Sequence, residues 1–369
     1  MNILFFISHQ PNPRFIKQIN YLAQNNTVIL LFFRRNTLAD LNKSIDSNVV
    51  IHDLGHIPNA SQPLKRIGAY LKTIKKLKQL FKTTNFEVLL INNIDVLLLY
   101  NAATIFKNKN AKVVIEISDL REFVFSERAS AKRMRSLEKR LYIKYIDKLI
   151  VTSKKYHEYH FSKFFHKDVF VLENKLLSKE IQENEITKTV RNNKITIGIV
   201  GLLLRKDEYV KLFETYKNSD TVDINIYGKG KYQNIVEEYA LKYKNIVYFG
   251  PYNAFTDAEK IYKSLDIIYL VYDIDQVSLN NKLALPNKLY ECMYYRIPLI
   301  CSKGTYLEEI VVDLGIGTSI NYKVSGEIEK SVAFLCNNID NIEKTFSNLS
   351  SDLYLGDNDY KKLELFLIN

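Results

Sequence analysis

Short apolar runs recur along this chain, separated by stretches of helical spacing, and they do so in two series. The first is Ile3–Ile7, Thr27–Phe33, Val88–Asn92, Val113–Ile117, Leu149–Thr152 and Val169–Leu172. The second is Thr196–Val200, Asp223–Tyr227, Ile246–Phe249, Ile267–Val271, Leu299–Ser302 and Thr318–Ile320. Continuous rather than alternating apolar runs suit strands buried on both faces. Strands alternating with helices form parallel sheets covered on both sides. Between the series, Ser178–Asn193 is polar and charged without apolar periodicity and reads as a linker. The expected fold class is therefore α/β, with two Rossmann-like doubly wound parallel-sheet domains facing each other across a cleft. The expected boundaries are 1–180, a linker 181–194, a second domain 195–350 and a C-terminal helical stretch 351–369. Ligands of such sheets bind beyond the carboxyl ends of the strands.

The length of 369 residues accommodates two domains, each with its own core, and 47% hydrophobic content excludes a disordered chain. No apolar run approaches the roughly 18 residues that a membrane-spanning helix needs. Met1–Ser8 lacks a basic leading region and reads as a first strand rather than a signal peptide. The three cysteines, Cys292, Cys301 and Cys336, form an odd set without metal-ligand spacing and read as free thiols. These features predict a cytosolic protein.

Charge is unevenly distributed. Residues 1–180 hold 30 Lys and Arg against 15 Asp and Glu, whereas 181–369 hold 22 against 26. The first half is thus expected to meet an anionic surface. Leu64–Lys82 sets Leu64, Ile67, Leu71, Ile74, Leu77, Leu80 and Phe81 at helical spacing among seven basic residues. Glu127–Lys148 adds Arg128, Lys132, Arg133, Arg135, Lys139, Arg140 and Lys144. Basic amphipathic helices of this kind can lie on anionic lipid, at the inner face of a membrane. The plain alternative is a core-facing helix with a solvated basic face. Nucleic acid is not expected as the partner, since helix-turn-helix, RNP and zinc signatures are missing.

The segment Leu285-Pro286-Asn287-Lys288-Leu289-Tyr290-Glu291, followed by Ile297–Ser302, reads as a loop, a helix start and a buried strand. Pro286 suits the first turn of a helix, where its missing N–H matters least. Free amides at that end, with the helix dipole and Lys288, attract an anion. Glu291, three residues on, shares the face of Lys288 one turn deeper. Cation and amides outside with a carboxylate behind suit a nucleoside diphosphate, phosphates on the first and ribose hydroxyls on the second. A capped amphipathic helix with one solvated ion pair is the alternative.

This segment resembles the nucleotide-sugar motif of GT-B glycosyltransferases, above all bacterial family-4-like enzymes with a Pro-Asn-Lys-x-x-Glu run before a short strand. Weaker matches extend over most of the chain, and the resemblance implies that the C-terminal helix packs back on the first domain. Gly198–Lys206 is a strand, a glycine turn at Gly201 and then Arg205 and Lys206, which could pair with phosphate. The resembled enzymes usually place a basic residue directly after that glycine, where this chain has Leu202. Tyr227–Lys231 is similar to the next glycine turn, and Tyr248–Tyr252 to the segment that reads the base, with Tyr252 the candidate contact. Asn287, Lys288 and Glu291 complete the implied donor site. The first acid of the family's Glu-x7-Glu pattern falls on Leu283 and is missing. Asp273-Ile274-Asp275 has the form of a divalent-cation pair, but the resemblance implies no metal and no cofactor. On the acceptor side, Ser118-Asp119 stands where relatives carry His-Asp. Asp119 is the candidate catalytic residue, either aiding proton removal or only capping the next helix. His9 and Arg14, in the loop after the first strand, are candidate acceptor contacts.

The resemblance implies transfer of a sugar from a nucleotide donor, UDP favoured, to a hydroxyl of a lipid-linked or growing surface polysaccharide, with retention of configuration. A nucleotide-sugar 2-epimerase on the same fold and a catalytically silent partner-binding subunit are the alternatives.

Overall fold

The computed structural model describes residues 1–34, 44–58, 63–104, 111–181, 194–254 and 256–369. Most of the expected linker, 182–193, lies outside the described residues. Contacts divide the chain into two compact units, 1–173 with 358–369, and 174–357.

In the first unit the strands are β1 (Asn2–Ile7), β2 (Thr27–Arg34), β3 (Val50–His56), β4 (Val88–Ile91), β5 (Lys112–Ile117), β6 (Lys148–Val151) and β7 (Asp168–Val171). They lie in the order β3-β2-β1-β4-β5-β6-β7, every neighbouring pair parallel. The interior strand β1 is apolar throughout from Ile3 to Ile7, and Phe5 is flanked by Leu30 and Leu90. β3 was not expected. It is the edge strand, only partly buried, and its Val-Ile-His-Asp-Leu-Gly-His sequence carries no apolar run to announce it.

The second unit holds β8 (Ile195–Leu202), β9 (Val222–Lys229), β10 (Ile246–Gly250), β11 (Ile267–Leu270), β12 (Leu299–Ser302) and β13 (Gly317–Ile320). The order is β10-β9-β8-β11-β12-β13, again all parallel. Its core runs continuously from Ile197, Ile224 and Ile268 to Val311 and Leu335. Both sheets reverse strand order once, between β1 and β4 and between β8 and β11. Those switch points open crevices at the carboxyl ends of the strands.

The last helix, Asp357–Ile368, buries Tyr360, Leu363 and Leu367. Its Tyr360 ring lies 4.8 Å from Tyr21, and its Phe366 ring 5.3 Å from Phe170. Lys148 and Lys112 donate to the carbonyls of Phe366 and Ile368, each over 2.5 Å. Such cations complete the open carbonyls of a helix C-terminus.

Candidate functional site

In the second unit Gly201, Tyr252 and Glu291 gather around Lys288. The helix Asn287–Tyr295 starts one residue later than expected: Pro286 is its cap, in extended conformation, and Asn287 its first helical residue. The Leu289 amide bonds the Pro286 carbonyl over 3.0 Å, which leaves the amides of Asn287 and Lys288 without an acceptor inside the helix. Lys288 and Glu291 form an ion pair over 2.6 Å, each side chain 15% exposed. Lys288 Nζ also donates to the Tyr252 hydroxyl over 3.1 Å and sits 5.7 Å from the centres of the Tyr252 and Tyr262 rings. Tyr262 donates its hydroxyl proton to Glu291 Oε2. Burial, reinforced by the Glu291 charge, pushes the Tyr262 phenol well above its ordinary value, so it stays a donor. Burial alone would lower Lys288, but Glu291 and Tyr252 hold it above its usual value, so the ammonium persists. The result is a half-buried cation and carboxylate clamped face to face by two tyrosines.

Gly201 lies beside this pair. A side-chain carbon there would come 3.7 Å from Lys288 Cε, and its φ of +128° is one that L side chains rarely adopt. Gly228, at φ +146°, packs so close that a Cβ would sit 1.7 Å from the Gly201 carbonyl oxygen. The ends of β8 and β9 therefore lie bare against one another next to the lysine, a place where a phosphate can approach main chain. Arg205 lies with its guanidinium 3.9 Å over the Tyr272 ring, just past β11. Lys206 is exposed and holds the cap position of the helix Asp207–Tyr216 without a side-chain capping bond. The Asn287 side-chain oxygen accepts from Asn174 over 2.8 Å.

The Asp273–Asp275 pair is engaged by a cation of the chain itself. Lys323 reaches Asp273 over 2.8 Å and Asp275 over 2.7 Å, and the Tyr322 hydroxyl adds a bond of 3.0 Å to Asp273. Among the described residues no cluster of three His, Cys, Asp or Glu could hold a metal ion.

In the first unit a polar cavity of about 270 Å³ opens at the β1/β4 switch point. Ser8 and His9 after β1, Asn92 and Asn93 after β4, and Ser118 and Asp119 after β5 line it. His9 Nδ1 lies 3.3 Å from Ser8 Oγ and 3.2 Å from Asn92 Nδ2, while Asn93 donates to Ser8 Oγ over 2.5 Å. Asp119 is exposed, and the cap position of the following helix is Arg121. Arg14 turns away into the sheet. Its Nη1 lies 2.6 Å from fully buried Glu116, too bent for a hydrogen bond but close enough for strong pairing, and it donates to Ser118 Oγ and the Leu172 carbonyl. Arg14 thus positions the Ser118–Asp119 turn.

Three features of these two places were missed in the sequence. Tyr262 meets Glu291 from 29 residues away. Gly228 was noted only as part of a weak turn. Glu138 lines the cavity with Tyr142, and buried His160 lies 2.6 Å from Glu138, brought there by tertiary packing alone.

No family model and no curated protein matches this sequence. Solved structures do. The lipopolysaccharide outer core galactosyltransferase WaaB, in its apo form, superposes with a TM-score of 0.67 at 14% identity, over 99% of this chain and 98% of that one. Anabaena HepE in complex with UDP gives 0.68 at 12% identity, over 100% and 99%. A glycosyltransferase from Rickettsia africae gives 0.67 at 15% identity, over 98% of each chain. At such identities the likeness is one of fold: the chain has the α/β GT-B fold, with its two parallel sheets, that these glycosyltransferases share.

Proposed function

We propose that the chain is a glycosyltransferase that binds its nucleotide-sugar in the second unit. The observation that carries this reading is the clamped Lys288–Glu291 pair at an open helix N-terminus beside the bare Gly201 turn. Lys288 and the first helix amides receive the diphosphate. Glu291 receives the ribose hydroxyls in place of Lys288, which the phosphates then take over, and Tyr252 marks the side of the base. The leaving nucleoside diphosphate is neutralised by Lys288 with Arg205 or Lys206, electrostatic assistance that operates without a metal. UDP is the favoured carrier, in line with the HepE complex. The acceptor hydroxyl belongs in the first-unit cavity near Asp119 and His9, with Asp119 aiding proton removal. A lipid-linked or growing surface polysaccharide is the acceptor class, and family-4-like enzymes supply the expectation of retention.

The test is thermal stabilisation by UDP, GDP, CMP and dTDP on the wild type and on Glu291→Ala. A ligand present at one hundred times its dissociation constant adds about 2.7 kcal/mol to a folded state that alone binds it. UDP is expected to raise the wild-type melting temperature, and Glu291→Ala to lose most of that rise. No shift with any nucleotide at millimolar concentration would end the donor-site reading. UDP binding without hydrolysis or transfer of a UDP-sugar would leave a silent binding subunit.

A further inference from the structure

The outward face of one helical layer of the first unit carries a pattern that no solvated helix needs. The crossovers β3→β4, β4→β5 and β5→β6 all step across the sheet in one direction. Right-handed connections then place their helices on a single face. Those helices are Pro63–Thr83, Ile94–Ala103 and Ala129–Tyr145, and the first two pack together. The first contains no acidic residue, and the third contains only Glu138, which is buried.

Along Pro63–Thr83, residues 67, 71, 75, 78 and 82 follow one line, and all are exposed: Ile67, Leu71, Lys75, Lys78 and Lys82. Leu71 is 63% exposed. Along Ala129–Tyr145 the corresponding line is Arg133, Leu137, Arg140 and Lys144, with Ile143, 49% exposed, and Lys139 beside it. The helix between them shows solvent one large residue, Leu98. A face built for water mixes both charge signs, because like charges a turn apart repel. Here one sign dominates, and aliphatic side chains stand among the cations.

We propose that this layer docks on an anionic lipid bilayer. Lysine and arginine heads would meet lipid phosphates while Ile67, Leu71, Leu98, Leu137 and Ile143 enter the boundary between head groups and acyl chains. Nucleic acid would satisfy the cations but leave those five aliphatic residues without a role. Among the described residues no helix is long and apolar enough to cross a membrane, so this is attachment to a surface. The proposal goes beyond the donor-site reading and stands on different residues.

The experiment is flotation of the full chain with phosphatidylcholine vesicles, with and without roughly a third of phosphatidylglycerol. Two variants accompany it, Arg133→Gln with Arg140→Gln, and Leu71→Ser with Ile143→Ser. All four positions are exposed, so melting temperature and the UDP shift should be those of the wild type. The wild type is expected to float only with anionic vesicles and to be released by salt. The cation variant should partition on the order of tenfold less, and the apolar variant several-fold less. Equal flotation with neutral vesicles, no flotation at all, or an unchanged apolar variant that binds duplex RNA more tightly than vesicles would each overturn the proposal. A lost UDP shift with intact flotation would instead strike the donor site alone.

Discussion

At the scale of single residues, the Lys288–Glu291 pair was legible because helical spacing of three residues puts the side chains together whatever the tertiary setting. The tightest constraint at the site was not legible. Gly201 and Gly228 come from neighbouring strands, and only the sheet brings the second against the carbonyl of the first. Gly228→Ala has no room and a forbidden φ, so it is expected to cost several kcal/mol in urea unfolding, with the UDP shift lost as the Gly201 turn moves. Gly201→Ala meets only ordinary contact and should cost about 1–3 kcal/mol, the strain of its φ. Asp273 gives a pH signature. Burial alone would raise its carboxyl, but Lys323, the Asp275 amide and Tyr322 hold it below its ordinary value. A depressed carboxyl contributes stability above its unfolded pKa, about 3.9, and loses it as pH falls through the folded value. Lys323→Met should therefore lower stability at pH 7, by little because Lys323 is 42% exposed and its pairing is screened by solvent. That difference should shrink below about pH 4, as stability curves of both proteins would reveal.

At the scale of elements, the buried strands could be read because each is a continuous apolar run, and β3 could not because an edge strand with His, Asp and Gly has no such run. Helix starts were readable to about a residue, since Pro286 fits both the cap and the first turn. The partner of the last helix has no local signal. Asn26 bonds Glu364 across 338 residues, and Tyr360, Leu363 and Leu367 are buried with the first unit. Leu363 is fully buried, so Leu363→Ala is expected to destabilise by about 2–5 kcal/mol. Because the helix groups with the first unit, hydrogen exchange in Leu363→Ala should rise in β1, β2 and β6 while β8 to β12 keep their protection. Uniform loss across both sheets would show that the helix supports the whole chain.

At the scale of the molecule, two facts set how the chain should respond to ligand. Each unit has its own sheet and core, and every residue of the Lys288 cluster belongs to the unit 174–357. The charge divides as well, with the excess of Lys and Arg in the first half and a slight excess of acids in the second. A chain built this way need not unfold in one step. A ligand stabilises only what unfolds with its site, and by an amount set by its concentration over its dissociation constant. UDP is therefore expected to raise the calorimetric transition of the second unit and to slow exchange in β8, β9 and the helix Asn287–Tyr295, leaving the first-unit transition where it was. Anionic vesicles should do the reverse, protecting Pro63–Thr83 and Ala129–Tyr145 and leaving the second unit unchanged. Scanning calorimetry and exchange with each ligand alone would separate the two effects. If UDP raised both transitions equally, the units would be unfolding as one cooperative body, and the independent cores would have to be coupled more strongly than their separate packing implies.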